Sequence, residues 1–301
     1  MSIKSAIYIL TCFTILIGIS GTPSSVSKAH ISSKKALLHQ TTKPCKKAII
    51  FDLGEVLITR NYFEAFKQLY IPDVFYFMFI SRTNPLQARH ILQERLYEIL
   101  NRIKPATPDH PATLDEHGNE IPELLHMWLA GTEPLAILKE YILATIDDHS
   151  EWFNYDVEKR LIKRMITMLF TPQLFAQTRT LINGAFEFVQ ECKDRGYKIY
   201  VLSNWDAESI HYIYAQYPEL FDLFDGICIS GEEGYTKPDV RIYKKLLEKY
   251  ALKAHECWFI DDQQVNITGA LHCNISGIVC PQQKGFVSRT TDFDALRLQL
   301  I

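Results

Sequence analysis

The chain has 301 residues, 47% of them hydrophobic, with 32 Lys and Arg set against 35 Asp and Glu. That is apolar material enough for one elaborated α/β domain or for two domains. A formal net charge of −3, with no basic run interleaved with aromatic residues, argues against a nucleic-acid partner; Lys46 and Lys47 read as a solvated face.

At the amino terminus MSIK is followed by the apolar stretch AIYILTCFTILIGI (6 to 19) and then by the small, Ser-rich GTPSSVSKAH. That is the plan of a secretory signal peptide, too short for a secure spanning helix. Residues 1–20 are expected to be a signal peptide or an N-terminal anchor and 21–45 a linker. The expected location is therefore exported, with membrane contact only if the segment is uncleaved. Seven cysteines are present; Cys228, Cys257 and Cys280 fall on expected buried strands and read as small hydrophobes.

The first folded segment, AIIFDLGEVLI (48 to 58), runs four apolar residues into Asp52 and a glycine-containing turn. Such a strand places an acid at the carboxyl edge of a parallel sheet, where ligands bind, although a turn or cap carboxylate is the structural alternative. From 61 to 179 the apolar spacing is helical, with runs near 62 to 70, 86 to 103, 120 to 130, 134 to 147 and 155 to 170. The polar, Pro-containing stretch 104 to 120 reads as a mobile loop, and its His110 and His117 as solvated rather than metal-binding. Trp128 and Trp152 read as core of this helical segment.

Helical spacing in GAFEFVQECKDRG (184 to 196) leads into the strand YKIYVLSNW (197 to 205), which ends at Ser203. Another strand, DGICIS (225 to 230), precedes GYTKPDVRIY (234 to 243), where Lys237 stands before a proline suited to the first position of a helix. The run CWFIDDQQVN (257 to 266) then ends in Asp261 and Asp262, with Asn266 four residues beyond the second acid, and SGIVC (276 to 280) closes the series. Alternation of this kind predicts a doubly wound parallel α/β sheet with right-handed crossovers, built from 46–60 and 180–301 and interrupted by 61–179.

Each polar residue has an ordinary reading: Ser203 as a cap for a helix near Asp206, Lys237 as a surface charge, the paired acids as loop carboxylates beside a helix start. Together they describe one site. Phosphoryl transfer through an aspartyl intermediate needs a carboxylate nucleophile, further acids to share a hard cation such as Mg²⁺, and a hydroxyl, an amide and a lysine to offset the charge of the transferring group.

With these segments in this order, the chain resembles the haloacid dehalogenase (HAD) superfamily from residue 46 onward. The resemblance implies that Asp52 is the nucleophile and that the Gly54 carbonyl helps to hold the metal. Ser203 and the Asn204 amide would bind phosphate beside Lys237. Asp261 and Asp262 would be the metal acids, with Asp262 the direct ligand, and Asn266 would support their loop. The KPD..IY and DD...N signatures look most like the bacterial sugar-phosphate phosphatases, particularly those acting on glucose 1-phosphate. The implied cofactor is Mg²⁺ and the implied substrate a small phosphomonoester, a sugar phosphate among the candidates. The helical insertion resembles the cap that family members place over the site, where it would exclude water and choose the substrate.

One departure bears on mechanism. Family phosphatases usually carry an acid two residues after the nucleophile, and this chain has Gly54 there. Loss of a positioned acid costs about 10² to 10⁴ in rate. Glu55 could substitute through a water, but neighbours on an extended segment point in opposite directions. Two alternatives stay open: a 2-haloacid dehalogenase, whose relatives also lack that acid, and a catalytically weak HAD-like binding protein. The doubled acid favours phosphate over halide.

Overall fold

The computed structural model describes residues 46–104, 120–284 and 289–300. The amino-terminal segment, His110, His117 and most of the expected mobile loop lie outside the described residues. Strand β1 (Ala48–Phe51) is buried along its whole length and leads through a turn to β2 (Ile58–Arg60). Among the described residues seven α-helices follow: α1 (Tyr62–Gln68), α2 (Ile71–Ser81), α3 (Pro85–Arg102), α4 (Glu123–Ala130), α5 (Leu135–Asp148), α6 (Asp156–Leu169) and α7 (Pro172–Gln177). The chain returns through β3 (Arg179–Leu181), which pairs antiparallel with β2.

It then alternates through α8 (Ala185–Asp194), β4 (Lys198–Ser203), α9 (Ser209–Gln216), α10 (Pro218–Phe221), β5 (Gly226–Ile229), α11 (Ser230–Glu233), α12 (Val240–Lys249), β6 (Cys257–Asp261), α13 (Gln264–His272) and β7 (Ser276–Val279). A short ribbon of β8 (Gln282–Lys284) and β9 (Arg289–Thr291) precedes α14 (Phe293–Leu300).

The five-stranded sheet has the order β5-β4-β1-β6-β7, and its neighbouring strands pair in parallel. This is the doubly wound α/β architecture the strand and helix patterns predict. Side-chain alternation splits the core in two. Ile49, Phe51, Ile199, Val201 and Ile260 face one cluster, which runs on into the helical segment through Leu96, Ile142, Leu161 and Phe170. Ile50, Leu202, Cys228 and Phe259 face the other, beneath α12 and α13, where Tyr243 is fully buried. Register sets Phe51 level with Val201 on one side and Ile260 on the other, so Asp52, Ser203 and Asp261 emerge at the same edge. Central β1 has β4 on one side and β6 on the other, which makes this edge a topological switch point, the usual ligand crevice of such sheets.

Between β2 and β3 two helices went unforeseen. The sequence of α2, IPDVFYFMFIS, is apolar on nearly every side and shows no helical stripe; its Phe75, Tyr76 and Phe79 are exposed. Helix α7 has six residues, too few to display a period. Pro238 is also corrected: it follows Lys237 across a cis peptide bond and precedes Asp239, which caps α12 by accepting from the Arg241 amide. Cys192, Cys228, Cys257, Cys273 and Cys280 are free and buried, as small hydrophobes would be.

Gly231 joins the helical segment to the sheet edge. A Cβ there would stand 2.5 Å from the Ala207 amide nitrogen and 2.9 Å from the Asp206 carbonyl carbon, both backbone atoms with little freedom to retreat. Its amide donates to the Trp205 carbonyl. Gly231→Ala should therefore destabilise the protein by roughly 1–3 kcal/mol, the usual cost of overpacking, read as a lowered midpoint in urea unfolding. An unchanged midpoint would show that this loop can move aside.

Candidate active site

Asp52, which ends β1, is almost wholly buried. Its Oδ1 accepts from the Leu53 amide at 2.7 Å and lies 2.9 Å from Lys237 Nζ. The same ammonium donates to Asp261 Oδ2 at 2.7 Å, so one lysine bridges acids from adjacent strands. Lys237 is only 1% exposed, against the surface alternative for this residue. Burial works against its charge, but Asp261 and Asp52 outweigh burial and hold the ammonium above its ordinary range.

Asp261 is fully buried and committed. Besides Lys237 it accepts from the Gln263 amide at 2.8 Å and from Asn266 Nδ2 at 3.0 and 3.1 Å on its two oxygens. Asn266 thus supports the acid loop from the first turns of α13. Asn204 clamps the lysine loop: its Oδ1 accepts from the Lys237 amide at 2.7 Å while its Nδ2 donates to the Lys237 carbonyl at 2.9 Å. This side-chain role is invisible in the motif, which pointed only to the Asn204 backbone amide.

Asp52, Gly54, Glu55, Ser203, Asn204, Lys237, Asp262 and Asn266 line a single cavity of about 300 Å³. Carboxylate oxygens of Asp52, Asp261 and Asp262 lie within 4.8 Å of one another. Burial lifts the Asp261 carboxyl, with Lys237 opposing the rise and Asp52 adding to it; burial lifts Asp262 further, followed by the charges of Asp261 and Asp52. Three acids facing one ammonium form a hard oxygen donor set short of positive charge, which fits a divalent cation such as Mg²⁺. Asp262 lines the cavity, whereas the Asp261 oxygens are already engaged behind it.

Glu55 does face this cavity, but its carboxylate is tied down: Oε2 accepts from Thr59 Oγ1 at 2.8 Å and Oε1 lies 3.3 Å from Arg60 Nε. Its backbone is left-handed, at φ 54°, so the strand-like alternation expected there does not apply. Gly54 is outside the left-handed region, and an added Cβ would meet nothing within 4 Å.

A model of haloacid dehalogenase-like hydrolases matches residues 46–274. The chain belongs to that family. This hydrolase is also 33% identical, over 90 residues, to a sesquiterpene phosphatase of Aspergillus oryzae; the match covers 30% of the chain and 45% of that relative, less than half its length. Among solved structures it is similar to a HAD family enzyme of Bacteroides thetaiotaomicron, with a TM-score of 0.51 and 15% identity, covering 79% of this chain and 94% of that one. The same enzyme solved with magnesium and inorganic phosphate superposes with a TM-score of 0.50 at 16% identity, over 80% and 96% of the two chains. A dehalogenase with an intermediate complex matches with a TM-score of 0.51 at 13% identity, over 84% and 96%. At these identities the likeness is one of fold, shared by phosphate-binding and dehalogenating members.

The motif residues leave one wall of the cavity unaccounted for. Ile121, Leu125, Trp128, Leu129 and Phe175 from the helical segment, with Trp205 from the loop after β4, supply apolar lining, and Tyr97, Arg60 and Arg179 line the same cavity. Trp128 is both core and cavity wall: its ring packs against Phe170 and Phe175 at 5.6 and 5.0 Å between centroids. Trp152 instead stacks on His149 and does not line the cavity.

The lysine bridge gives a direct test. In metal-free hydrolase, Lys237→Met should cost roughly 3–5 kcal/mol in urea unfolding, because Asp52 and Asp261 lose their common counter-charge while buried. A loss below about 1 kcal/mol would rank the bridge with exposed ion pairs.

Proposed function

We propose that this hydrolase is a Mg²⁺-dependent phosphatase that transfers the phosphoryl group of a small organic phosphoester to Asp52 and then to water. The observation that carries the reading is the bridge from Lys237 to Asp52 and Asp261 beside Asp262, opening on one cavity. Lys237 and Leu53 pin Asp52 Oδ1, which orients the carboxylate and leaves Oδ2 for attack on phosphorus. Ser203, the Asn204 amide and the Lys237 ammonium offset charge on the phosphoryl oxygens, while Asn266 keeps Asp261 in place. Asp52, Asp262 and the Gly54 carbonyl would hold the magnesium, which supplies electrostatic stabilisation of the transferring group. Displacement of halide from carbon has no use for the second acid, which favours the phosphatase over the dehalogenase reading.

The helical segment between β2 and β3 acts as the cap in this reading, since its side chains build the apolar wall. That wall suits the phosphate of an apolar alcohol better than a sugar phosphate, whose hydroxyls would need polar partners. The partial match to a sesquiterpene phosphatase supports the same preference. The Glu55 carboxylate, already held by Thr59 and Arg60, is poorly placed as the missing proton donor. The amino-terminal pattern supports export if that segment is cleaved as a signal, and a membrane anchor if it is not.

Hydrolysis of p-nitrophenyl phosphate with and without Mg²⁺ tests the proposal. Wild type should turn over only with the metal. Asp52→Asn should lose about 10⁴ or more in kcat, as removal of a nucleophile does, and Asp262→Asn should raise the Mg²⁺ requirement at least about tenfold. Gly54→Asp should fold normally and gain about tenfold or more on alkyl phosphates, whose leaving groups need a proton. Undiminished turnover by Asp52→Asn would sink the aspartyl-phosphate mechanism. No turnover by wild type would return the chain to the binding-protein alternative.

A further inference from the structure

Arg60 and Arg179 are register partners across the β2–β3 ribbon, and both line the cavity that holds Asp52. Two like charges set directly opposite each other on antiparallel strands are destabilising unless something compensates them. Glu55, at 3.3 Å from Arg60, supplies one counter-charge to the pair. Arg179 is half-buried, its guanidinium lies over the Phe175 ring at 4.1 Å, and its buried Nε has no hydrogen-bond partner among the described residues. Burial and then the charge of Arg60 push it down to about 9, the direction of a cation short of counter-charge, although it stays protonated at neutral pH. A fixed planar fork in this setting is built to receive an oxyanion.

The other observation is Gly54, which leaves the reaction without a positioned acid to protonate a departing alkoxide. A leaving group that is itself a phosphate needs no proton, because its negative charge is already stable in water near neutral pH.

Resting on the aspartyl-phosphate reading, we propose that the substrate is an organic diphosphate with an apolar alcohol portion, whose inner phosphate is received by Arg60 and Arg179. Asp52 Oδ2 bonds to the terminal phosphorus. The bond from that phosphorus to the bridging oxygen breaks, and its electron pair stays on the oxygen, which leaves as the organic monophosphate dianion against the two guanidinium groups. Water then adds to the aspartyl phosphorus and the Asp52 oxygen–phosphorus bond breaks to restore the carboxylate. Both water protons leave on the product as dihydrogen phosphate, so charge balances with no further reactant. The apolar wall of Leu125, Trp128 and Phe175 takes the alcohol.

Hexyl diphosphate, hexyl monophosphate, carboxymethyl phosphate and p-nitrophenyl phosphate separate the possibilities. With Mg²⁺, wild type should favour hexyl diphosphate over hexyl monophosphate by about tenfold or more in kcat/KM, the worth of one charge-assisted hydrogen bond, with hexyl monophosphate released first. Arg179→Met should bring that ratio towards unity, and Arg179→Lys should fall between the two. Methylenediphosphonate should inhibit wild type more tightly than inorganic phosphate and lose that margin in Arg179→Met; melting curves establish that the variants are folded. Equal rates on the two hexyl esters in wild type, a ratio untouched in folded Arg179→Met, or preference for carboxymethyl phosphate over hexyl diphosphate would each overturn the inference while the phosphatase stands. Failure of wild type on every one of these phosphates would instead remove the reading beneath it.

Discussion

Everything at the active edge hangs on one buried ammonium. Lys237 sits between Asp52 and Asp261 on adjacent strands, shielded from water by Phe259, whose ring centroid lies 5.4 Å from Nζ. Bringing three charges out of water is costly, and the cost is offset only if each charge is paired and its remaining hydrogen-bonding sites are filled. The surroundings meet that demand: Leu53 and Gln263 amides, the Asn266 amide group, and the Asn204 clamp on the lysine backbone. The loop before α12, the turn after β1 and the start of α13 are fixed by the same need for electroneutrality.

Around that fixed centre the chain divides its labour. Sheet and sheet-edge loops carry the acid–lysine groups to which the proposed chemistry falls, and hydrogen bonds hold them rigid. The helical segment, entering through β2 and leaving through β3, carries apolar side chains that line the same cavity and, in the proposed reading, face the organic part of the substrate. Its hydrophobic cluster is continuous with one face of the sheet, so the wall is anchored by core packing rather than resting loosely over the cavity. Positioned groups and excluded water are what electrostatic catalysis at a developing charge requires.

The fold and the acid–lysine centre were legible in the sequence because both are written locally. An apolar run ending in Asp52, another ending in Asp261 and Asp262, and a lysine beside a proline each announce themselves within ten residues. The rest of the cavity lining was not legible for the opposite reason. Arg60, Trp128, Arg179 and Trp205 come from four separate segments, share no spacing, and each reads in isolation as a surface charge or core aromatic. Helix α2 escaped because an element apolar on most sides has no period to detect. The Glu55 turn escaped because a left-handed glutamate beside a glycine reverses the usual assignment of which residue bends.

The β2–β3 ribbon ties chemistry to chain length. Side chains alternate along it, so the facing arginines belong to one side while Thr59 and Thr180, also register partners, belong to the other. A one-residue insertion between Ile58 and Thr59 would turn the Arg60 guanidinium away from the cavity and bring the Thr59 hydroxyl towards it, while Arg179 on β3 kept its face, with every motif residue untouched. The number of residues in this connection is therefore under the same constraint as the identity of the carboxylates, and a variant with every motif residue intact but one strand out of phase would present a different cavity.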